Sequence, residues 1–287
     1  MGLRREIRRL FGKSRSPAPE AGSIPDASEL RRLGYKVPNF FIAGAARCGT
    51  TSLWEYLRQH PNIFMPPTFE FKEPSFFCEL YGMKNWREYL ALFADAGVRA
   101  RIGEASHAYL TSPESAGRLR AALPDARFII SLRNPADRAY SLYKWMHANG
   151  YESQPTFQAA LQAEETQRYK NPEFMRSNGQ YYYNFLYYRS GVYCEQVRRF
   201  VDAFGSERVH VIVFEEFVES PATHMKRIFE FLGVDPNFEP RIEVHNSSKR
   251  TYGAFDGSTR GALLARYDPS IRELESMLNR DLHQLWS

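Results

Sequence analysis

The chain has 287 residues, 43% hydrophobic and 25% charged, which is ample for a large packed core and excludes disorder throughout. Its three cysteines, Cys48, Cys78 and Cys194, form neither a CxxC pair nor a metal-spaced cluster, so no disulfide scaffold and no metal site is expected, and a reducing compartment fits. The net charge of +5 resides in residues 1–16, where Arg4, Arg5, Arg8, Arg9, Lys13 and Arg15 stand against Glu6 alone; the remainder is formally neutral, and a nucleic-acid-binding surface is not implied.

That basic segment comes first in chain order. Leu3, Ile7, Leu10 and Phe11 recur at helical spacing opposite its arginines, so a weak membrane-surface contact through residues 1–13 is the alternative to a basic solvated tail. Gly2 makes no myristoylation signal, because Glu6 stands where Ser or Thr is expected. No run approaches the roughly 18 apolar residues that span a bilayer, and the first residues lack the apolar core of a signal peptide. The expectation is a soluble, cytoplasmic protein, peripheral at a membrane if the tail binds one. Residues 14–35, with Pro17, Pro19 and Pro25 among small residues, read as a flexible linker. Tail and linker thus fill 1–35, and one domain fills 36–287.

From Val37 onward, short apolar runs alternate with amphipathic ones. Strands are predicted at 37–44 (VPNFFIAG), 101–105 (RIGEA), 127–132 (RFIISL) and 208–214 (RVHVIVF). Helices are predicted over 51–59, 86–94, 113–122, 136–148, 191–204, 222–232 and 270–281, several opened by a proline or a capping residue such as Ser112 or Asn134. This alternation predicts a single α/β domain, with a P-loop-type central parallel sheet flanked by helices.

The first strand runs into GAARCGTTS (44–52), which opens a helix. Glycines there admit backbone conformations that let successive N–H groups and a positive helix end converge on a phosphate. An ordinary tight turn is the bland alternative; the strand–loop–helix context and the paired threonines favour the anion site. A nucleotide triphosphatase loop carries Lys after its second glycine, but Thr50 stands there, and Arg47 is the loop's one cation. The strand 127–132 also lacks a metal-binding Asp at its end, and Glu215, the remaining acid that could imitate one, reads more simply as satisfied or solvated. Metal-dependent triphosphate chemistry is therefore poorly supported.

Next comes FEFKEPSFF (69–77), a polar trio of Glu70, Lys72 and Glu73 among aromatics. A carboxylate desolvated by such neighbours can serve as a general base, whereas an edge strand would turn the same charges to water. The predicted strand 127–132 then delivers Arg133 to its carboxyl end, where open α/β sheets bind ligands, with Ser141 in the first turns of the following helix. Together they can hold a second phosphate. Two phosphate cradles suggest a nucleotide phosphorylated at two places. The stretch 179–193 (GQYYYNFLYYRSGVY) is read chiefly as core packing, with an aromatic pocket as the alternative.

With these motifs in order, the chain resembles the sulfotransferases that use 3′-phosphoadenosine-5′-phosphosulfate (PAPS), in particular the branch of heparan sulfate sulfotransferases and bacterial relatives. GAARCGTTSL resembles their 5′-phosphosulfate loop, LRNPADRAYSLY their 3′-phosphate motif and KEPSFF the segment with their catalytic glutamate. The resemblance implies Glu73 as the base and Arg47 in the place of a catalytic lysine. It implies Cys48, Gly49, Thr50, Thr51 and Ser52 around the 5′-phosphosulfate, Arg133 and Ser141 on the 3′-phosphate, and Lys249 and Arg250 of NSSKR (246–250) in a late closing loop. Arginine keeps its proton at neutral pH, so Arg47 is expected to act by charge. In GEASHAYL (103–110), Ala105 replaces a lysine of the heparan-type relatives, and His107 is an alternative base or acceptor contact.

The expected reaction is in-line sulfuryl transfer from PAPS, without a metal, to a hydroxyl or amine of a small-molecule or carbohydrate acceptor. The competing readings are a P-loop kinase or NTPase, and a catalytically silent nucleotide-binding adaptor.

Overall fold

The computed structural model describes residues 26–177, 180–243 and 255–286. Strands β1 (Phe40–Gly44), β2 (Ile63–Phe64), β3 (Arg101–Ala105), β4 (Arg127–Leu132) and β5 (Val209–Val213) form one sheet in the order β2-β3-β1-β4-β5. All neighbouring pairs are parallel. A parallel sheet is covered on both faces, which is why β1 is apolar throughout and β4 is apolar except for Arg127 at its start and the buried Ser131.

Successive strand residues point to opposite faces, so each run supplies two cores. Phe40, Ile42, Ile129 and Ile212 pack against helices α1 (Thr50–Leu57) and α5 (Pro221–Leu232) through Leu53, Trp54, Met225, Ile228 and Phe229. Phe41, Ala43, Phe128 and Ile130 face the larger cluster on the other side. That cluster is completed by α2 (Ser115–Ala122), α3 (Pro135–Ala148), α4 (Tyr193–Phe204) and α6 (Gly257–Leu278).

The expected α/β architecture is present, with several differences of extent. β1 starts at Phe40 rather than Val37: Pro38 has no N–H to give, and pairing begins at the strand's edge with Asn39, whose N–H donates to the Ile102 carbonyl (2.8 Å) and whose side chain bridges to Ala100 and Ile102. Within the expected linker, Ala27–Arg32 is a helix: Asp26 caps Ser28 and Glu29, and Ala27 and Leu30 are buried against the core. Helix α6 begins well before the expected 270, since buried Leu263 and Tyr267 continue the stripe of Ile271 and Leu274 across Pro269. The segment at 69–77 is not an edge strand but a 3₁₀ turn, Phe69–Phe71, followed by loop. The basic tail and the late loop with Lys249 and Arg250 lie outside the described residues. No described helix is long and apolar enough to cross a membrane.

Candidate active site

The residues that follow β1, β3, β4 and β5 line one cleft over the carboxyl ends of the strands, enclosing about 890 Å³. That is the size of a pocket for a nucleotide with part of a second substrate.

Its floor is the loop between β1 and α1. Ala45 N–H donates to the Ser131 carbonyl (2.8 Å) and Ser131 Oγ donates to the Cys48 carbonyl (2.7 Å), so β4 anchors the loop from below. Arg47 and Gly49 take left-handed backbone conformations, φ 68° and 76°. Gly49 is the N-cap of α1 and offers no side chain to the first turn, whose N–H groups have no intrahelical acceptors. A Cβ on Gly49 would stand 2.9 Å from the Phe214 ring. The result is a helix N-terminus presenting bare N–H groups to the cleft, where an anion is favoured.

Three cations gather beside it. Arg47 Nε donates to Ser141 Oγ (3.3 Å), and Arg133 lies over the Phe214 ring (5.2 Å). Lys144, one turn beyond Ser141 on α3, lies over Tyr140. Among the described residues neither guanidinium has a carboxylate partner. Burial lowers the pKa of Arg47, and the charge of Arg133 lowers it further. Burial likewise lowers Lys144, with Arg133 and Arg47 adding to the effect. Mutual repulsion of this kind marks a site awaiting negative charge.

Across the cleft is an acid–base cluster. The segment carrying it is pinned to the end of β3, where Ala105 N–H donates to the Lys72 carbonyl (3.3 Å) and Ser75 N–H to Ser106 Oγ (2.9 Å). Buried Lys72 places Nζ 2.6 Å from Glu73 Oε1, and His107 Nδ1 lies 2.5 Å from Glu73 Oε2. His107 Nε2 is 3.3 Å from Asn184 Oδ1. Partial burial pushes the Glu73 carboxyl up, but the facing charges of His107 and Lys72 outweigh it and hold the group well below the usual carboxylate range. The aromatic neighbours expected to raise it are outmatched.

Arg47, Gly49, Thr50, Thr51, Ser52, Glu73, His107, Arg133 and Ser141 therefore line one cleft. Cys48 does not. Its side chain is fully buried, and burial pushes its thiol up to about 11, leaving only its backbone at the loop. Lys249 and Arg250 fall outside the described residues. Three contributors escaped the sequence reading. Lys144 was detectable from its spacing to Ser141 on a helix face. Lys72 was visible as a charge but not as a buried partner of Glu73. Asn184 had no local signal. The 179–193 stretch is mainly core, since Tyr181, Tyr182, Tyr187 and Tyr193 are buried, while Gln180 and Asn184 reach the cleft.

Glu215 is occupied structurally. Its Oε1 accepts from Asn134 N–H (2.9 Å) and its Oε2 from Trp286 Nε1 (3.1 Å). Among the described residues no group of three or more His, Cys, Asp or Glu is arranged to hold a metal ion.

The profile of the family described as "Sulfotransferase domain" matches residues 37–255. A solved sulfotransferase from Alicyclobacillus acidocaldarius is 36% identical, with a TM-score of 0.75, over 88% of this chain and 99% of that one. A mouse bifunctional heparan sulfate N-deacetylase/N-sulfotransferase is 26% identical over 272 residues, 85% of this chain and 30% of the relative. A membrane-associated sulfotransferase of Dictyostelium discoideum is 21% identical over 85% of this chain and 66% of its own. The chain thus spans less than a third of the length of the heparan relative.

Proposed function

The chain belongs to the sulfotransferase domain family, and from that premise we propose that it transfers the sulfuryl group of PAPS to a hydroxyl or amine of an acceptor. The observation that carries this reading is the pair of guanidiniums, Arg47 and Arg133, held without carboxylate partners among the described residues beside the bare N-terminus of α1. Two anionic groups on one ligand answer that arrangement, one over the loop and one beside Arg133 and Ser141.

In this reading Gly49, Thr50, Thr51 and Ser52, with the Cys48 backbone, wrap the 5′-phosphosulfate, and Arg133 and Ser141 hold the 3′-phosphate. An acceptor oxygen or nitrogen attacks sulfur in line. The new bond to sulfur forms as the bridging bond to the 5′-phosphate breaks, and the electron pair leaves with that phosphate. Arg47, permanently charged, stabilises the leaving oxygen, and Lys144 adds to the field there. The acceptor's proton passes to Glu73, whose carboxylate is held in place by Lys72 and His107. Residues 36–287 act as one catalytic domain.

A kinase or NTPase reading is disfavoured by Thr50 in the lysine position and by Glu215 being engaged with Asn134 and Trp286. A silent adaptor has no use for a carboxylate held ionised at the cleft wall. Calorimetric titration of the full chain with 3′-phosphoadenosine-5′-phosphate (PAP), against ATP with Mg²⁺, tests the reading. Tight binding of PAP alone is expected; preference for ATP with Mg²⁺ would overturn it.

A further inference from the structure

The charges lining the cleft are unevenly distributed, and Asp137, the carboxylate on the helix that carries Ser141 and Lys144, is paired with Arg260. Arg47, Arg133 and Lys144 are the cations among its described lining residues, and all three stand together at the phosphate end, where they sense one another electrostatically. The Glu73 end is lined differently. Phe69 and Glu70, on the exposed 3₁₀ turn that leads into Glu73, both reach the cleft, and Phe69 is 69% exposed. Tyr81 joins them: burial and then the charge of Glu73 raise its hydroxyl's pKa, and its ring lies 5.4 Å from that of Tyr181, beside Gln180. The nearest basic groups, the buried Lys72 and the cleft-lining His107, are both committed to Glu73.

We propose that the acceptor is an uncharged or positively charged hydroxyl compound with an aromatic or alkyl body, and that Glu70 and Phe69 select it. This rests on the sulfotransferase reading above. An exposed ring on a cleft rim offers apolar area to a ligand that brings its own. Glu73 is already met by Lys72 and His107, so the carboxylate left to act on a ligand here is that of Glu70, which has no ion-pair partner among the described residues; it repels a negatively charged acceptor and attracts an ammonium group. An acidic glycan brings carboxylates or sulfates to the end of the cleft least able to hold them. The exclusion of anions at this end also suits the reaction, because the donor already fills the cationic end and a second anion would compete for Arg47 and Arg133.

The test uses the full chain, PAPS and three phenols that differ in the charge of one substituent: 4-ethylphenol, tyramine and 4-hydroxyphenylpropionate. N-desulfated heparan sulfate is the fourth acceptor. PAP binding is measured first by calorimetry, so that absence of binding overturns the donor reading and not the acceptor class alone. With PAP bound, kcat/KM for the neutral and cationic phenols is expected to exceed that for the anionic one by about tenfold or more. Glu70→Lys should narrow or invert that ratio, and Phe69→Ala should raise KM for all three phenols without weakening PAP binding. Equal or better use of 4-hydroxyphenylpropionate or the glycan overturns the proposal. So does a protein that binds PAP and sulfates none of the phenols, and so does a charge preference unmoved by Glu70→Lys.

Discussion

His107 Nδ1 lies 2.5 Å from Glu73 Oε2, and Lys72 Nζ lies 2.6 Å from the other oxygen of the same carboxylate. Glu73 is therefore saturated with positive partners on the protein side and stays ionised well below the range of an ordinary glutamate. Glu73→Gln keeps the shape but loses the charge. The expected result is unchanged PAP affinity with turnover slowed more than about tenfold, the usual scale for a lost general base. An undiminished kcat with the natural acceptor would remove Glu73 from the proton path.

The same contacts fix a pH effect. Because the folded pKa of Glu73 is lowered, its pairing stabilises the fold above the unfolded carboxylate pKa and is lost only as pH falls through the lower folded value. His107→Gln removes one of the two charges that hold it there. The acid limb of the activity profile should then move to higher pH than in the parent protein, read from kcat at a series of pH values. An unmoved acid limb would mean that His107 does not tune Glu73.

Arg133 and Arg47 separate binding from chemistry. A hydrogen bond to a charged group is worth about 1.5–3 kcal/mol, so Arg133→Ala should weaken PAP binding by about tenfold to a hundredfold while kcat at saturating PAPS changes little. Arg47→Ala instead removes a charge from the leaving oxygen and should lower kcat by about a hundredfold. Calorimetry and saturation kinetics on the two variants check the split; a pure binding defect in Arg47→Ala would place that arginine on the nucleotide alone.

Much of this was legible because the informative residues are local. The apolar runs of β1 and β4 and the loop that follows β1 are contiguous, and the loop's chemistry lies in its backbone, which glycine spacing reports. Arg133 and Ser141 sit on one strand–helix junction. Contacts made by folding were not legible. Nothing near Asn184 announces that it meets His107 from 77 positions away, and nothing in FEFKEPSFF says that Lys72 turns inward. Burial does push the Glu73 carboxyl up, as its aromatic surroundings suggest, but the neighbouring Lys72 turning inward and the turn after β3, which delivers His107, bring charges that outweigh it.

Gly49 tests the loop itself. Its φ of 76° and the Phe214 ring 2.9 Å from where a Cβ would sit leave no room for alanine. Gly49→Ala must shift either Phe214, on which Arg133 rests, or the start of α1. PAP should then give no thermal stabilisation, although the rest of the sheet stays folded by circular dichroism. A normal PAP-induced shift in Tm would show that the loop conformation is not what binds the anion.

Glu104 carries a prediction about stability. It is fully buried in β3, accepting from Tyr89 OH (2.5 Å) and from Ser106 Oγ (2.6 Å), and Ser106 Oγ in turn accepts the Ser75 N–H that pins the Glu73 segment. Burial raises its pKa to about 7, against the opposing pull of Ser106, Tyr109 and Tyr89. A raised folded pKa means that the native state binds the proton more tightly than the unfolded chain. The stabilisation is thus complete below the unfolded carboxylate value and is lost as pH climbs through about 7. Unfolding free energy from urea titration should therefore drop by a few kcal/mol between about pH 5 and about pH 8. Glu104→Gln, neutral at both values, should show a flatter profile. Parallel profiles for the two proteins would mean that Glu104 is ionised in the fold, with Tyr89 and Ser106 stabilising a charge instead of a neutral acid. The network would then place a second negative charge behind Glu73, and Lys72 would be needed to hold both.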